Sequence, residues 1–241
     1  MKLFSRASRI LVPIRLPEPD DLPDRMVERL GNTRILLVGW LEVPEQTPPE
    51  QAKEELDDTG EAALARIRER LEEAGAEVET RHLFTPDLIA TIQSVGAEEA
   101  CDAALIAGPI RAVDRVLVVL RDEPDVDVVA RLVADLSEDR PDRVTLLHIS
   151  EDEADLGRDL SDRVLNALEQ QGVDTDRVET RVEASDEPED RVVDVCREDD
   201  VEIVVVPEHG EMEERLFGSF AARLARDADM PVLVVRMGGS D

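Results

Sequence analysis

Short apolar runs of strand length alternate along this chain with segments whose apolar residues recur at helical spacing. Ile10 to Ile14 is a continuous apolar run, as expected of a strand buried on both faces. A Pro-rich turn (Pro17, Pro19, Pro23) follows, then a helical piece around Met26, Val27 and Leu30 closed by Gly31, and a second strand from Ile35 to Val43. Over Ala62–Ala74, Leu64, Ile67 and Leu71 share one helical face, with Gly75 at the C-cap place. Val78 to Phe84 predicts a third strand, Leu88 to Ala100 a helix, and Ala103 to Ala107 a fourth strand.

The programme then restarts. Val116 to Leu120 predicts a strand, Val128 to Leu136 a helix, and Val144 to Ile149 a strand. Next come a helix from Leu156 to Gln170 ending at Gly172, a strand at Val178–Val182, a helix at Glu189–Arg197 and a strand at Ile203–Val206. A helix from Phe220 to Arg226 and a strand from Pro231 to Val235 close the series. Strand–helix alternation with nearly all-apolar strands means parallel sheets covered by helices. The offset from Ile10 to Val116 is 106 residues, domain-sized rather than solenoid-sized. Two consecutive Rossmann-like α/β domains are therefore expected, 1–110 and 111–241, the first lacking the final helix and strand.

Composition sharpens this picture. Apolar residues make up 42% of the 241, but aromatics only 2%, so the core is built of Val, Leu, Ile and Ala. The formal net charge is -30, from 58 acidic against 28 basic residues, and Lys2 and Lys53 are the only lysines. At molar salt the Debye length is about 3 Å, which screens repulsion among so many carboxylates; in dilute buffer it opposes compaction. The composition fits a protein adapted to concentrated salt. With no basic patch, nucleic-acid binding is not expected. Cys101 and Cys196 lack metal-site spacing and read as buried small hydrophobes of a reducing compartment. No stretch has the apolar length of a membrane span, so a cytoplasmic location is expected.

Several segments resemble the universal stress protein family. Ile10-Leu11-Val12-Pro13-Ile14 resembles its opening strand, and Thr145-Leu146-Leu147-His148-Ile149 its second. Leu37 to Pro44 matches that second strand again in the first half, with Gly39 where the second half has His148. Ser185-Asp186-Glu187-Pro188 resembles the turn after strand three, and Glu202 to Gly210 the strand-four segment. Gly218-Ser219 with Met230 to Val235 resembles the family's ending.

The resemblance implies a stress-response or regulatory protein, with nucleotide hydrolysis open by analogy alone. The residues themselves offer no Ser–His–Asp spacing, Walker loop or metal-ligand cluster, so no enzyme is expected. The resemblance also implies a nucleotide site, formed by an Asp ending strand one and a loop G-x2-G-x9-G-[ST] whose amides cradle phosphates at a helix N-terminus. This chain departs at both. Arg15 and Arg121 stand at the two Asp positions, Pro207 replaces the first loop glycine and removes a donor, and only seven residues separate Gly210 from Gly218. Glu208, Glu211, Glu213 and Glu214 would repel a triphosphate. ATP or AMP binding is thus expected to be weak or lost. The candidate phosphate-site residues are Gly210, Gly218 and Ser219, with Arg121; a final helix simply starting at Gly218-Ser219, with Ser219 near its N-cap, is the plainer account of those two.

Arg15 and Arg121 are readable as anion contacts or as salt-bridge partners of the acids after them (Glu18, Asp122, Glu123). His148 reads as a hydrogen-bonded strand residue and His82 carries no signal; His209, beside Gly210, reads as a loop histidine, with a place facing a phosphate as the alternative. The family resemblance further implies an intramolecular pseudo-dimer or a homodimer pairing through Val232 to Val235. A sensor of nucleotides or small anions, and a soluble regulatory partner of a membrane transporter, are the alternative functions.

Overall fold

The computed structural model describes residues 7–19, 22–44, 58–86, 88–106, 115–121, 125–137, 143–150, 154–208 and 219–236. The chain divides into two compact units, Arg9–Leu105 and Ile106–Asp241, the latter taking in Met1–Ser8.

The first unit contains strands β1 (Arg9–Arg15), β2 (Arg34–Glu42), β3 (Glu77–Thr85) and β4 (Ala103–Ile106), with helices α1 (Asp24–Arg29), α2 (Asp58–Glu73) and α3 (Leu88–Glu98). The strands run in the order β3-β2-β1-β4, and β1 pairs in parallel with both β2 and β4. Register places Ile14 beside Gly39 and Leu11 beside Leu36, so alternate residues face opposite sides. A Cβ on Gly39 would meet Leu64 of α2, and one on Gly96 of α3 would meet Leu11. Helices therefore cover both faces, which is why Ile10, Leu11 and Val12 are all fully buried.

The second unit contains β5 (Arg115–Val119), β6 (Arg143–Ser150), β7 (Val178–Ala184), β8 (Ile203–Glu208) and β9 (Val232–Arg236). Its helices are α4 (Val126–Ser137), α5 (Ala154–Gln171), α6 (Pro188–Glu198) and α7 (Ser219–Ala228), with a 3-10 turn at Thr175–Arg177. The order is β9-β8-β5-β6-β7, all parallel. Leu117, Val119, Leu147, Val204 and Val206 form one core with Val192, Val195 and Cys196 of α6 and Phe220, Ala221 and Leu224 of α7. The opposite face takes α4 and α5, whose Val129, Leu132, Val133, Leu136, Leu160 and Val164 are all fully buried. At about 1.5–3 kcal/mol for each fully buried aliphatic side chain, these two layers supply the main drive for folding.

Helices α2 and α5 stop as their sequences predict. Gly75 and Gly172 take φ of 107° and 87°. Ala76 N donates to Leu71 O and Val173 N to Leu168 O, the doubled-back closure that a left-handed residue allows.

The units repeat a detail that hydrophobic patterning hides. Val78-Glu79-Thr80-Arg81 of β3 recurs as Val178-Glu179-Thr180-Arg181 of β7, in the same register against the neighbouring strand. Arg81 pairs with Glu99 beyond the end of α3, and Arg181 with Asp199 beyond the end of α6. The residues after these acids, Ala100 and Asp200, share a left-handed conformation at φ 49° and 48°.

Candidate functional site

In open parallel α/β sheets, ligands meet the carboxyl ends of the strands. In the second unit Arg121 stands just past β5. Its guanidinium carbon lies 4.8 Å from the centroid of the Phe220 ring on α7, and Nη1 lies 3.4 Å from Glu189 Oε1 in the first turn of α6. Glu189 is also approached by Arg223 at 3.6 Å, and Arg223 pairs with Asp190 as well. These acids sit at a helix N-terminus, where the macrodipole favours them. The cation of Arg121 is thus drawn sideways, onto a ring and a carboxylate supplied by two helices.

Beside Arg121, His148 is buried and its Nδ1 lies 2.9 Å from the carbonyl oxygen of Leu120. Its Nε2 is buried without a hydrogen-bond partner among the described residues, and the ring faces Gly157 of α5. This is a strand residue clamped by backbone and helix, in line with its reading from sequence. Ser219 is the first residue of α7. Gly210, Gly218 and His209 lie outside the described residues, as do Asp122 and Glu123.

The first unit carries a cleft of about 680 Å³ at the carboxyl ends of β1 and β2, walled by Leu16, Pro17, Leu41, Val43, Pro44 and Pro86, with Arg15, Glu18 and Glu42. Arg15 lies 5.6 Å from the Trp40 ring centroid and 3.4 Å from Glu42. Among the described residues Arg15 thus pairs with Glu42 and not with Glu18, and Arg121 pairs with Glu189. Glu42 comes from the adjacent strand, laterally about 5 Å away, and Glu189 from the first turn of a helix. Phe220 and Glu189 were not singled out from sequence as partners of Arg121, from which 99 and 68 residues separate them.

Cys101 and Cys196 are both buried, and neither is in a disulfide. Burial, reinforced by the charge of Asp199, pushes the Cys196 thiol up to about 12. Among the described residues, no cluster of His, Cys, Asp and Glu is disposed to hold a metal, and no helix is long and apolar enough to cross a membrane.

The fold defines a parallel α/β protein with helices on both sheet faces. The Universal stress protein family profile matches residues 112–236, more than half the chain. The chain belongs to the universal stress protein family, a family of stress-response proteins. Among solved structures, a universal stress protein from Archaeoglobus fulgidus DSM 4304 superimposes with a TM-score of 0.66 at 15% identity, over 98% of each chain. A putative universal stress protein from Pseudomonas aeruginosa UCBPP-PA14 gives a TM-score of 0.52 at 16% identity, over 96% of this chain and 94% of its own. At these identities the likeness is one of fold. No curated protein matches the sequence.

Proposed function

We propose that this chain is a non-enzymatic regulatory protein of the stress response, built of two consecutive universal-stress-protein-type domains, 1–110 and 111–241, whose nucleotide binding is weak or lost. The observation that carries the reading is Arg121. A cation stands where nucleotide-binding relatives place the carboxylate that holds adenosine, and its charge is taken up by Glu189 and the face of Phe220. An adenosine there would have to displace Arg121 from both. Pro207, in β8 beside Val235, lacks the amide that a phosphate loop starting at that residue would offer. The two-domain organisation is supported by the matching strand orders β3-β2-β1-β4 and β7-β6-β5-β8, and by the repeated Arg81–Glu99 and Arg181–Asp199 pairs.

Equilibrium dialysis of ATP and AMP against the whole chain in about 2 M KCl, where surface repulsion is screened, tests the reading. No saturable micromolar binding is expected. Saturable micromolar binding that disappears in Gly218→Asp would overturn it.

A further inference from the structure

The second unit has a cleft of about 590 Å³ at the amino ends of its strands, opposite the end that the family's nucleotide site occupies. Four arginines line it: Arg115, Arg143, Arg177 and Arg181. In a chain of net charge -30 this concentration calls for an explanation. Register makes it sharper. Arg115 of β5 is the direct cross-strand partner of Arg143 of β6. Val144 pairs with Val178, so Arg177 precedes its strand where Arg143 opens its own. Three guanidinium-bearing residues thus sit side by side across adjacent strands, an arrangement that repels unless a negative charge lies among them.

The first unit fills the same place with a different charge pattern. There the row reads Arg9, Arg34, Glu77. Arg9 bonds Glu79 at 2.6 Å and Glu99 at 3.0 Å, and Arg34 lies 3.8 Å from Glu77. In the second unit Arg177 stands where Glu77 does, reversing one charge. Among the described residues, the acid that reaches furthest into the row is shared. Asp199 bonds Arg181 at 2.7 Å and gives its backbone oxygen to Arg115 at 2.8 Å. Among the described residues Arg177 pairs with Asp174 alone, at 3.4 Å. Asp176 and Glu179 also line the cleft, yet Arg143 is exposed and makes no ion pair among the described residues.

We propose that this cleft binds a phosphate-type oxyanion, held between Arg143 and Arg177 with Arg115 and Arg181 behind them. The guanidinium fork matches the oxygen spacing of a phosphate and can bind it through two parallel hydrogen bonds, which a spherical chloride cannot use. The repulsive row then becomes a chelating one. The site is independent of the carboxyl-end crevice and of whether ATP binds there.

The test is equilibrium dialysis of inorganic diphosphate, then inorganic phosphate and ADP, against the whole chain in about 1 M KCl, with folding followed by circular dichroism. Saturable diphosphate binding is expected, weakened at least about tenfold in Arg177→Glu, which restores the first unit's charge pattern, and also in the milder Arg143→Gln. ADP binding that survives Gly218→Asp but falls in Arg177→Glu would identify the phosphate group itself as what is recognised. Absence of saturable diphosphate binding below about 10 mM, a range where affinity is already very weak, would overturn the proposal. So would binding left unchanged in both variants while they remain folded.

Discussion

Gly157→Ala tests the packing around His148 most sharply. A Cβ built on Gly157 would lie 2.7 Å from His148 Cγ and 3.0 Å from its Cβ, and nearer still to Cδ2. The ring cannot swing aside without losing its 2.9 Å contact with the Leu120 carbonyl, and α5 is tied locally by Ser161 Oγ donating to Gly157 O at 2.7 Å. Alanine gains about 1 kcal/mol of helix propensity over glycine. Forcing a methyl into a filled interior costs about 3 kcal/mol at the upper end of ordinary overpacking, and this clash belongs there. The net expectation is a loss of about 2 kcal/mol, read in urea melts followed by circular dichroism in molar KCl. The decisive control is His148→Ala. It destabilises alone, but in combination the new methyl enters vacated space, so the double variant should exceed the sum of the singles by about 1–3 kcal/mol. A Gly157→Ala protein as stable as the parent, or strict additivity, would refute the argument.

Three further outcomes follow from the same structure. Dialysis from molar KCl into dilute buffer should unfold the chain, because the repulsion within a net charge of -30 then acts over about 10 Å or more; unchanged circular dichroism would count against this. A hydrogen bond from Arg191 holds the Glu183 carboxyl below its ordinary 4.5, with the charge of Arg181 adding to it against the opposing effect of burial. A depressed carboxyl stabilises the fold above its unfolded value and loses that contribution as pH falls through the folded one. Glu183→Gln should therefore cost about 1 kcal/mol at neutral pH, and the gap to the parent should close as pH drops below 4.5. Cys196, pushed up to about 12, and buried Cys101 should resist thiol reagents in the native protein and react once urea unfolds it; rapid native labelling would show the burial to be wrong.

Strand and helix existence was largely legible from sequence, because two-sided burial writes itself as unbroken apolar runs. Ile10–Ile14 became Arg9–Arg15, extended by arginines that continue the ladder while keeping their charges at its ends. Strand β7 runs on to Ala184 through its pairing with Ile149 and Ser150, at positions whose exposure leaves no apolar signal. The 3-10 turn at Thr175–Arg177 went unseen. It is anchored by the Asp174 side chain accepting from Asp176 N, a local bond with no hydrophobic period. For the candidate site, the family resemblance points to Arg121 but not to the residues it touches. Glu189 and Phe220 reach it only through the packing of α6 and α7. The arginine row at the other end is invisible to periodicity, since it exists only once β5, β6 and β7 are placed in register.

The central claim is that Arg121 stands at the adenosine-holding position and is engaged there by Glu189 and Phe220. ATP affinity of the parent chain and of Arg121→Asp, measured side by side by equilibrium dialysis in about 2 M KCl, tests it directly. The account predicts no saturable micromolar binding by the parent, and a gain when the carboxylate is supplied. Micromolar ATP binding by the parent that Arg121→Asp weakens would contradict it.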